Sequence, residues 1–547
     1  MLRRVRVIMC LLMFLALGSE GHQKSKADRL LSDPIRLDSG LVSGQRVGEA
    51  GDVRVYKGIP YAAPPVGENR WKPPQPVTPW QGVRAALEYG PSCPQHNVLE
   101  RLYGGKLGPT SEDCLYLNVW TPARRADERL PVMVWIHGGG YTAGSGSSPY
   151  YDGANLARRG VVVVTFNYRL GIYGFFAHPL LSRESPHGVS GNYGLLDQIA
   201  ALQWVKRNIA AFGGDPNRVT IFGESAGAGS VCYLMVSPLA RGLFHRAIAQ
   251  SGSAFGQNRH LKESWYGQEP AERVGVRAAE RLGCDKASDP LAALRAKSSE
   301  ELLAITGAGL GAGGAGTFSF GPIVDGWVVP DDPGAIFEAG RQHPVPLIVG
   351  SNADEGTIFL LTSPVSDVAG FRAMITSTFR ERAQDVLALY SGADASDARA
   401  LMNRFVTDSR FVAPARFFAR MQSRVSRAYL YHYTWVMPNA RGAQLGAFHA
   451  SEIPLVFGNR EVTTLTQEQW NKGPSAALMA YWVQFARTGD PNVKGWPAWP
   501  SYDPTSDRYM EFGTEVAVRA HLRKEACDLF ERIAAERRAK RHTGSAP

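Results

Sequence analysis

The segment 219–230 constrains the fold of this chain more than any other. Residues 219–222, Val-Thr-Ile-Phe, favour a strand and run directly into Gly223-Glu-Ser-Ala-Gly227, after which small residues favour the start of a helix. In a Gly-x-Ser-x-Gly pattern the serine lies on a strained turn between strand and helix, and small residues two positions away let the backbone pass without a clash. The pattern predicts that the hydroxyl of Ser225 is presented at the end of a sheet.

Strands and helices alternate around this turn. Residues 131–136 and 161–166 are apolar runs typical of buried parallel strands, and the apolar residues of 194–212 recur at helical spacing. Further strands are predicted at 245–251 and 346–350. This order predicts an α/β fold with a large central, mostly parallel sheet, helices on both faces and helical insertions.

A serine nucleophile needs a base and a group that orients the base. Asp354 and Glu355 follow the strand 346–350, both are chemically suitable as the orienting acid, and periodicity does not choose between them. His449 lies in a loop after the predicted strand 429–435. On spacing alone, such a histidine more often belongs to the surface or the core. The order serine, acid, histidine is nevertheless typical of α/β-hydrolases.

The chain also offers donors for an oxyanion. Gly138, Gly139 and Gly140 follow the strand 131–136, where unobstructed backbone N–H groups would point into a cleft. The backbone N–H of Ala226, directly after the serine, is the second kind of donor expected. The alternative is that the three glycines form only a flexible loop.

The amino terminus carries the pattern of an export signal. Three arginines within residues 1–6 precede an apolar run at 7–17, and small residues follow near Gly18. We therefore expect a signal peptide at 1–18, a secreted or periplasmic protein, and a single large domain at 19–547. An uncleaved membrane anchor is the alternative for the apolar run. Its length is short for a bilayer span, so no membrane span is expected after cleavage.

Export permits disulfide bonds. Cys93 and Cys114 lie on either side of a polar segment of twenty residues, 94–113. A bond between them would close a loop of stabilising size, and two free thiols are the alternative. The formal net charge is +10, but no basic stripe with interleaved aromatic residues is present, so nucleic acid is not expected as a partner.

Two stretches are expected to lie outside regular structure. Proline is dense in 58–67 and 71–76, and each proline removes a backbone donor. We predict that both form an ordered loop on the body of the protein. Residues 307–316 are rich in glycine, and we predict a flexible rim there.

With these residues in place, the chain resembles the type-B carboxylesterases, the carboxylesterase/cholinesterase group of α/β-hydrolases, over nearly its full length after the signal. The blocks that carry the resemblance are Gly58 to Gly67, Glu112-Asp-Cys-Leu-Tyr-Leu-Asn-Val119, Trp135-Ile-His-Gly-Gly-Gly140, Gly191-Asn-Tyr-Gly-Leu-Leu-Asp-Gln198, Phe212-Gly-Gly-Asp-Pro216, Phe222-Gly-Glu-Ser-Ala-Gly-Ala228, Asp354-Glu-Gly-Thr357, Phe448 to Glu452, and Gly489-Asp-Pro-Asn492 before Trp496-Pro497.

The resemblance implies a role for individual residues. It implies a carboxylic ester hydrolase that forms an acyl-enzyme on serine, acts on small to medium esters and needs no metal or cofactor. The implied residues are Ser225 as nucleophile, Glu355 as acid, His449 as base, Gly139, Gly140 and Ala226 as oxyanion donors, Glu224 and Ser230 as triad support, and Cys93 with Cys114 as the first family disulfide.

Departures from the family bear on the substrate. Segment 94–113 contains no tryptophan, so recognition of choline by cation–π attraction is not expected. The family's usual second disulfide would pair Cys284 with a cysteine shortly downstream, but 285–304 contains none, so cysteines 232, 284 and 527 are expected to be free or unconventionally paired. Phe318 and Phe320 resemble an acyl-pocket wall. Two alternatives remain. One is an esterase for polycarboxylate esters, similar to the secreted fumonisin esterases that release tricarballylic acid, and the other is a non-catalytic adhesion or binding protein.

Overall fold

The computed structural model describes residues 31–541 except 32, 49–50, 100–106, 308–316, 363–364, 366 and 392–395. The predicted signal peptide at 1–18 lies outside the described residues, as does all but the first residue of the glycine-rich segment 307–316. No helix within the described part of the chain has the length and apolarity that crossing a bilayer requires.

The strands of the described residues form two sheets. They are β1 Ile35–Arg36, β2 Leu41–Ser43, β3 Gln45–Val47, β4 Val53–Pro60, β5 Val83–Ala85, β6 Tyr116–Thr121, β7 Leu130–Ile136, β8 Val162–Phe166, β9 Gly214–Glu224, β10 Arg246–Gln250, β11 Leu347–Asn352, β12 Ala428–Tyr433, β13 Arg508–Phe512 and β14 Val516–Ala520. The larger sheet has eleven of these strands in the order β14-β13-β12-β11-β10-β9-β7-β8-β6-β4-β3, and the smaller has the order β1-β2-β5.

The centre of the large sheet is parallel. Strands β8, β7, β9, β10, β11, β12 and β13 follow one another in the sheet, and each neighbouring pair is parallel, whereas the pairings toward both edges are antiparallel. The carboxyl ends of the parallel strands therefore meet at one edge of the sheet, where α/β proteins place their functional loops. The predicted mostly parallel α/β sheet is confirmed.

Apolar residues cover both faces of the sheet. Along β7, Val132, Val134 and Ile136 join one buried cluster, while Met133 and Trp135 join a second cluster. Successive strand residues point to opposite faces, so this alternation places one hydrophobic layer on each side. The helix Tyr193–Asn208 packs in the first layer through Leu202, and the helix Ser475–Thr488 packs in the second through Trp482.

Helices occupy most of the connections between the strands. They are α1 Ala154–Ala157, α2 Gly171–Phe175, α3 Pro179–Glu184, α4 Tyr193–Asn208, α5 Ala226–Val236, α6 Ala271–Arg281, α7 Pro290–Arg295, α8 Ser299–Ala304, α9 Pro333–Glu338, α10 Val368–Phe379, α11 Ala383–Ala388, α12 Ala398–Thr407, α13 Ala413–Gln422, α14 Ala440–Leu445, α15 Ile453–Phe457, α16 Gln467–Asn471, α17 Ser475–Thr488 and α18 Lys524–Ala539.

The prediction of irregular structure was wrong for residues 58–60, which belong to β4. The register of β4 against β6 shifts between Tyr56 and Ile59, and Gly58 takes up that irregularity with a φ of +64°. Pro60 is the last residue of the strand, a position at which a missing backbone donor interrupts no central ladder. Gly58 thus accommodates an irregularity within the strand, and Pro60 is its last residue.

The structure contains one disulfide bond among the described cysteines, between Cys93 and Cys114, whose sulfur atoms lie 2.09 Å apart. Cysteines 232, 284 and 527 are buried free thiols. Burial raises the pKa of the Cys232 thiol to about 12, so this thiol is not a reactive thiolate near neutral pH.

Candidate active site

Ser225 lies on a sharp turn between β9 and α5. Its φ of 56° and ψ of −121° are unusual for a residue with a side chain, as expected of a strained functional turn. The turn leaves no room beside it: a Cβ at Gly227 would lie 2.0 Å from the carbonyl oxygen of Ile136, and one at Gly223 would lie 2.6 Å from the carbonyl carbon of Gly227. The glycines of the motif are therefore required by the close approach of backbone to backbone.

The imidazole of His449 is held by Glu355. His449 Nδ1 lies 2.6 Å from Oε2 of Glu355, and the other carboxylate oxygen accepts a hydrogen bond of 2.7 Å from the backbone N–H of Asn352. Both side chains are buried. A carboxylate fixed at both oxygens orients the ring so that Nε2 is turned away from the acid.

Asp354, the other acid that the sequence leaves open, has a different position. Its Oδ2 accepts a hydrogen bond from the backbone N–H of Ala447 at 2.9 Å, and its Oδ1 accepts one from Asn403 Nδ2 at 3.0 Å. Asp354 thus ties the loop that carries His449 to the end of β11. The structure brings Glu355, and not Asp354, to the imidazole.

Glu224, the residue before Ser225, contacts the opposite side of the ring. Its Oε1 lies 3.0 Å from His449 Nε2, yet this oxygen accepts no well-aligned hydrogen bond from any described residue. Burial raises the pKa of the Glu224 carboxyl to about 8. Burial alone would lower the pKa of His449, but the carboxylates of Glu224 and Glu355 outweigh it and raise that pKa to about 9.

At most one proton lies between Glu224 and His449 Nε2. When Glu224 holds that proton, the imidazole has one fewer negative neighbour, and its Nε2 is then able to accept a proton as a base. Complete burial makes the protonated form of Glu224 accessible near neutral pH. The two groups therefore act as one titrating unit.

Behind the acid lies a buried polar network that the sequence reasoning did not identify. Glu452 accepts hydrogen bonds from Asn352 Nδ2 at 2.7 Å and from Gln250 Nε2 at 3.1 Å, and Trp482 Nε1 donates to Gln250 Oε1 at 3.0 Å. Burial raises the pKa of Glu452. Asn352 belongs to both systems because its backbone binds Glu355 and its side chain binds Glu452, so the network fixes the end of β11.

The glycine loop after β7 lies against the serine turn. A Cβ at Gly138 would be 2.7 Å from Glu224 Oε2 and 3.1 Å from Ser225 Cβ, and a Cβ at Gly139 would be 2.1 Å from the carbonyl oxygen of Ala143. Gly139 and Gly140 have φ values of +104° and +63°. Only glycine adopts such angles readily in so little space. The three predicted oxyanion donors, Gly139, Gly140 and Ala226, all border the same cavity as Ser225.

That cavity has a volume of about 440 Å³ and is bordered by Ser225, Glu224 and His449. Its size is within the range that holds a small-molecule ligand. The rings of Phe359 and Phe411 lie 5.1 and 5.0 Å from the imidazole of His449 and shield it on the cavity side.

Phe318 and Ser230 are not among the described residues that border this cavity. Phe320 borders the cavity, whereas Phe318 borders a neighbouring small cavity and stacks on Phe320, with ring centroids 6.2 Å apart. Ser230 accepts a hydrogen bond of 3.0 Å from Gln198 of α4, a helix that carries none of Ser225, Glu355 and His449. The structure thus gives Ser230 a partner outside the predicted triad.

A serine on a turn after a central parallel strand, with a glutamate–histidine pair beside it, defines this protein as an α/β-hydrolase. The model of the carboxylesterase family matches residues 32–530. The chain therefore belongs to the carboxylesterase family and is a serine carboxylesterase, an enzyme that hydrolyses carboxylic esters.

Three relatives illustrate the likeness. The chain is 40% identical to a fumonisin B1 esterase of Sphingopyxis macrogoltabida, over 89% of this chain and 88% of that protein. It is 36% identical to a para-nitrobenzyl esterase of Bacillus subtilis (strain 168), over 85% and 92% of the two chains. It is 34% identical to a human cocaine esterase, over 97% and 95%. All three are named as esterases of different substrates.

Proposed function

We propose that Ser225, His449 and Glu355 form the catalytic triad of this esterase. The observation that carries the proposal is the 2.6 Å contact between His449 Nδ1 and Glu355 Oε2 beside a cavity that Ser225 also borders. A histidine held by a buried acid is set up to remove the proton of a serine hydroxyl. Glu224 supports the triad electrostatically, because its Oε1 lies 3.0 Å from His449 Nε2.

The reaction proceeds in two steps. His449 accepts the proton of Ser225 as the serine oxygen attacks the ester carbonyl, and the backbone N–H groups of Gly139, Gly140 and Ala226 stabilise the negative oxygen that forms. The alcohol leaves with a proton from His449. Water, deprotonated by His449, then attacks the acyl-enzyme and releases the carboxylic acid and the free serine.

The substrates are small to medium carboxylic esters. A cavity of about 440 Å³ is large enough for such an ester, and its lining combines aromatic rings with serine hydroxyls. We also propose that the protein is exported, because the amino-terminal pattern of residues 1–18 is that of a signal peptide and a disulfide bond joins Cys93 to Cys114. A purely adhesive role is disfavoured because all three triad residues are present.

Replacement of Ser225 tests the proposal. Ser225→Ala should lower kcat for a 4-nitrophenyl ester by several orders of magnitude, while the circular dichroism spectrum and Tm stay those of a folded protein. Ser377→Ala, at an exposed serine of α10, is the matched control and should keep full activity. An organophosphate should also add its mass to the peptide that contains Ser225. Undiminished turnover by Ser225→Ala would refute the triad.

A further inference from the structure

One arginine, Arg410, lies beside the candidate active site. It lies in the segment Asp408–Val412, a single π-helical turn between α12 and α13. Such turns insert an extra residue into a helix and are frequent at functional sites. Arg410 borders the same cavity as Ser225 and His449.

The residues on both sides of Arg410 are firmly held. Asp408 accepts hydrogen bonds from Arg523 Nε at 2.9 Å and Nη2 at 2.7 Å, and a third from the hydroxyl of Tyr390 at 3.2 Å. Phe411 packs 5.0 Å from the imidazole of His449. The backbone of Arg410 is therefore fixed relative to the reacting groups, which is the condition for a binding group of defined position.

The guanidinium of Arg410 has no partner in the described parts of the chain, where it forms neither an ion pair nor a hydrogen bond. The buried arginines Arg169 and Arg416 differ from it in being paired: Arg169 lies 2.7 Å from Asp197, and Arg416 lies 3.0 Å from Asp507. Arg410 is exposed to solvent, yet desolvation by the protein beside it lowers its pKa. Both observations fit a side chain that lies against protein and reaches an open cavity.

The other charged groups of the cavity do not compete for this arginine. In the described lining, the remaining ionisable acids and bases apart from tyrosines are Glu224 and His449, which lie 3.0 Å from one another. The walls near Arg410 include the rings of Phe359 and Phe411. A cation beside apolar walls, with water partly excluded, attracts an anion more strongly than a cation on an open surface does.

We propose that Arg410 binds a free carboxylate of the substrate, so that the enzyme prefers esters which carry a carboxylate in addition to the ester group that is cleaved. The planar guanidinium presents paired donors that match the two oxygens of a carboxylate. The inference rests on the proposed function, because it places the second carboxylate in the cavity where Ser225 acts. The carboxylate belongs to the acyl part or to the alcohol part of the ester, and the experiment separates the two.

Two matched pairs of substrates test the inference. Monoethyl adipate and ethyl hexanoate differ by a carboxylate on the acyl part, while 4-acetoxybutanoate and butyl acetate differ by one on the alcohol part. The readout is the ratio of kcat/KM for the charged ester to kcat/KM for the neutral ester, measured by chromatography of the released products. We expect this ratio to favour the charged ester in at least one pair, and that pair identifies the part which bears the carboxylate.

Arg410→Gln should lower this ratio by about tenfold or more, since a charge-assisted hydrogen bond is lost. Arg410→Lys, which keeps the charge but not the paired donors, should lower it less. Added salt should lower the ratio of the wild-type enzyme by screening. Arg399→Gln, at an exposed arginine of α12, is the matched control and should keep the wild-type ratio. Tm confirms that each variant is folded.

The inference is overturned if the wild-type enzyme favours neither charged ester, or if Arg410→Gln leaves the ratio unchanged in both pairs. In either case the proposed function stands as long as hydrolysis of the neutral esters depends on Ser225. Hydrolysis that survives Ser225→Ala would instead overturn the proposed function together with the inference that rests on it.

Discussion

His449 Nε2 lies 3.0 Å from Oε1 of Glu224. The same imidazole is bound at Nδ1 by Glu355, so one ring lies between two buried carboxyl groups. Two negative neighbours favour a protonated imidazole, whereas the proposed reaction begins with a neutral one. The pH at which His449 loses its proton therefore sets the lower end of the active range.

Glu224→Gln should move the acidic limb of the pH profile toward lower pH. The carboxylates of Glu224 and Glu355 raise the pKa of His449 to about 9 against the effect of burial, so activity rises with pH as the imidazole loses its proton. Removal of one carboxylate lowers that pKa, and we expect a shift of roughly one pH unit in the profile of kcat/KM. An acidic limb that stays in place would show that Glu224 is protonated throughout.

Glu355→Gln should lower kcat by about three to four orders of magnitude, because the amide neither fixes the reactive tautomer of His449 nor stabilises its cation. Asp354→Asn is the matched control. Asp354 binds Ala447 N–H and Asn403 and does not hold the imidazole, so this change should lower Tm with a much smaller loss of kcat. Equal losses of kcat in the two variants would contradict the assignment of the acid.

Gly139→Ala should lower kcat by about a hundredfold or more, which is the cost of a displaced oxyanion donor. Its φ is +104°, and the new methyl group would lie 2.1 Å from the carbonyl oxygen of Ala143. Gly242→Ala provides the comparison, since Gly242 has a φ of +76° and no atom within 4 Å of the added Cβ. The control should show the backbone cost in Tm but retain activity. Normal turnover by Gly139→Ala would remove this loop from the oxyanion site.

Cys93→Ser combined with Cys114→Ser should lower the free energy of unfolding by about 3 kcal/mol, since the bond closes a loop with a sequence separation of 21 residues. Leu99 and Leu107 lie within that loop and border the cavity, so KM should rise as well. Denaturant unfolding and steady-state kinetics measure the two effects. Cys232→Ser, at a buried thiol without a bond, distinguishes loss of the disulfide from loss of a packed sulfur.

Local sequence patterns were sufficient to predict the central strand 161–166 and the helix 194–212 that packs on the sheet. The predicted strand 161–166 is Val162–Phe166, and the predicted helix 194–212 is Tyr193–Asn208 followed by a short 3-10 turn at Ile209–Phe212. Buried parallel strands and amphipathic helices carry their environment in their own residues. The register shift in β4 was not predictable in the same way, because the position of Gly58 has meaning only against the neighbouring strand.

Some features of the candidate site were predictable from adjacent residues, and others depend on residues that are remote in the chain. The serine turn was predictable from Ser225 and its neighbouring glycines, because the strain of the turn is local. The pairing of Glu355 with His449 joins residues 94 positions apart, and the choice between Asp354 and Glu355 depends on which carboxylate the end of β11 turns toward the loop 446–450. The family resemblance supplied that choice, which the residues alone left open.

The sequence by itself determined the type of sheet, the strained serine turn and the family to which the chain belongs, because each of these is encoded in short runs whose spacing matches a local geometry. Only the tertiary structure decided that Glu224 approaches His449, that Glu452 and Gln250 lie behind the acid, and that Arg410 reaches the cavity without a protein partner among the described residues. These relationships depend on distances between side chains that are remote in the chain, and no local pattern records such distances.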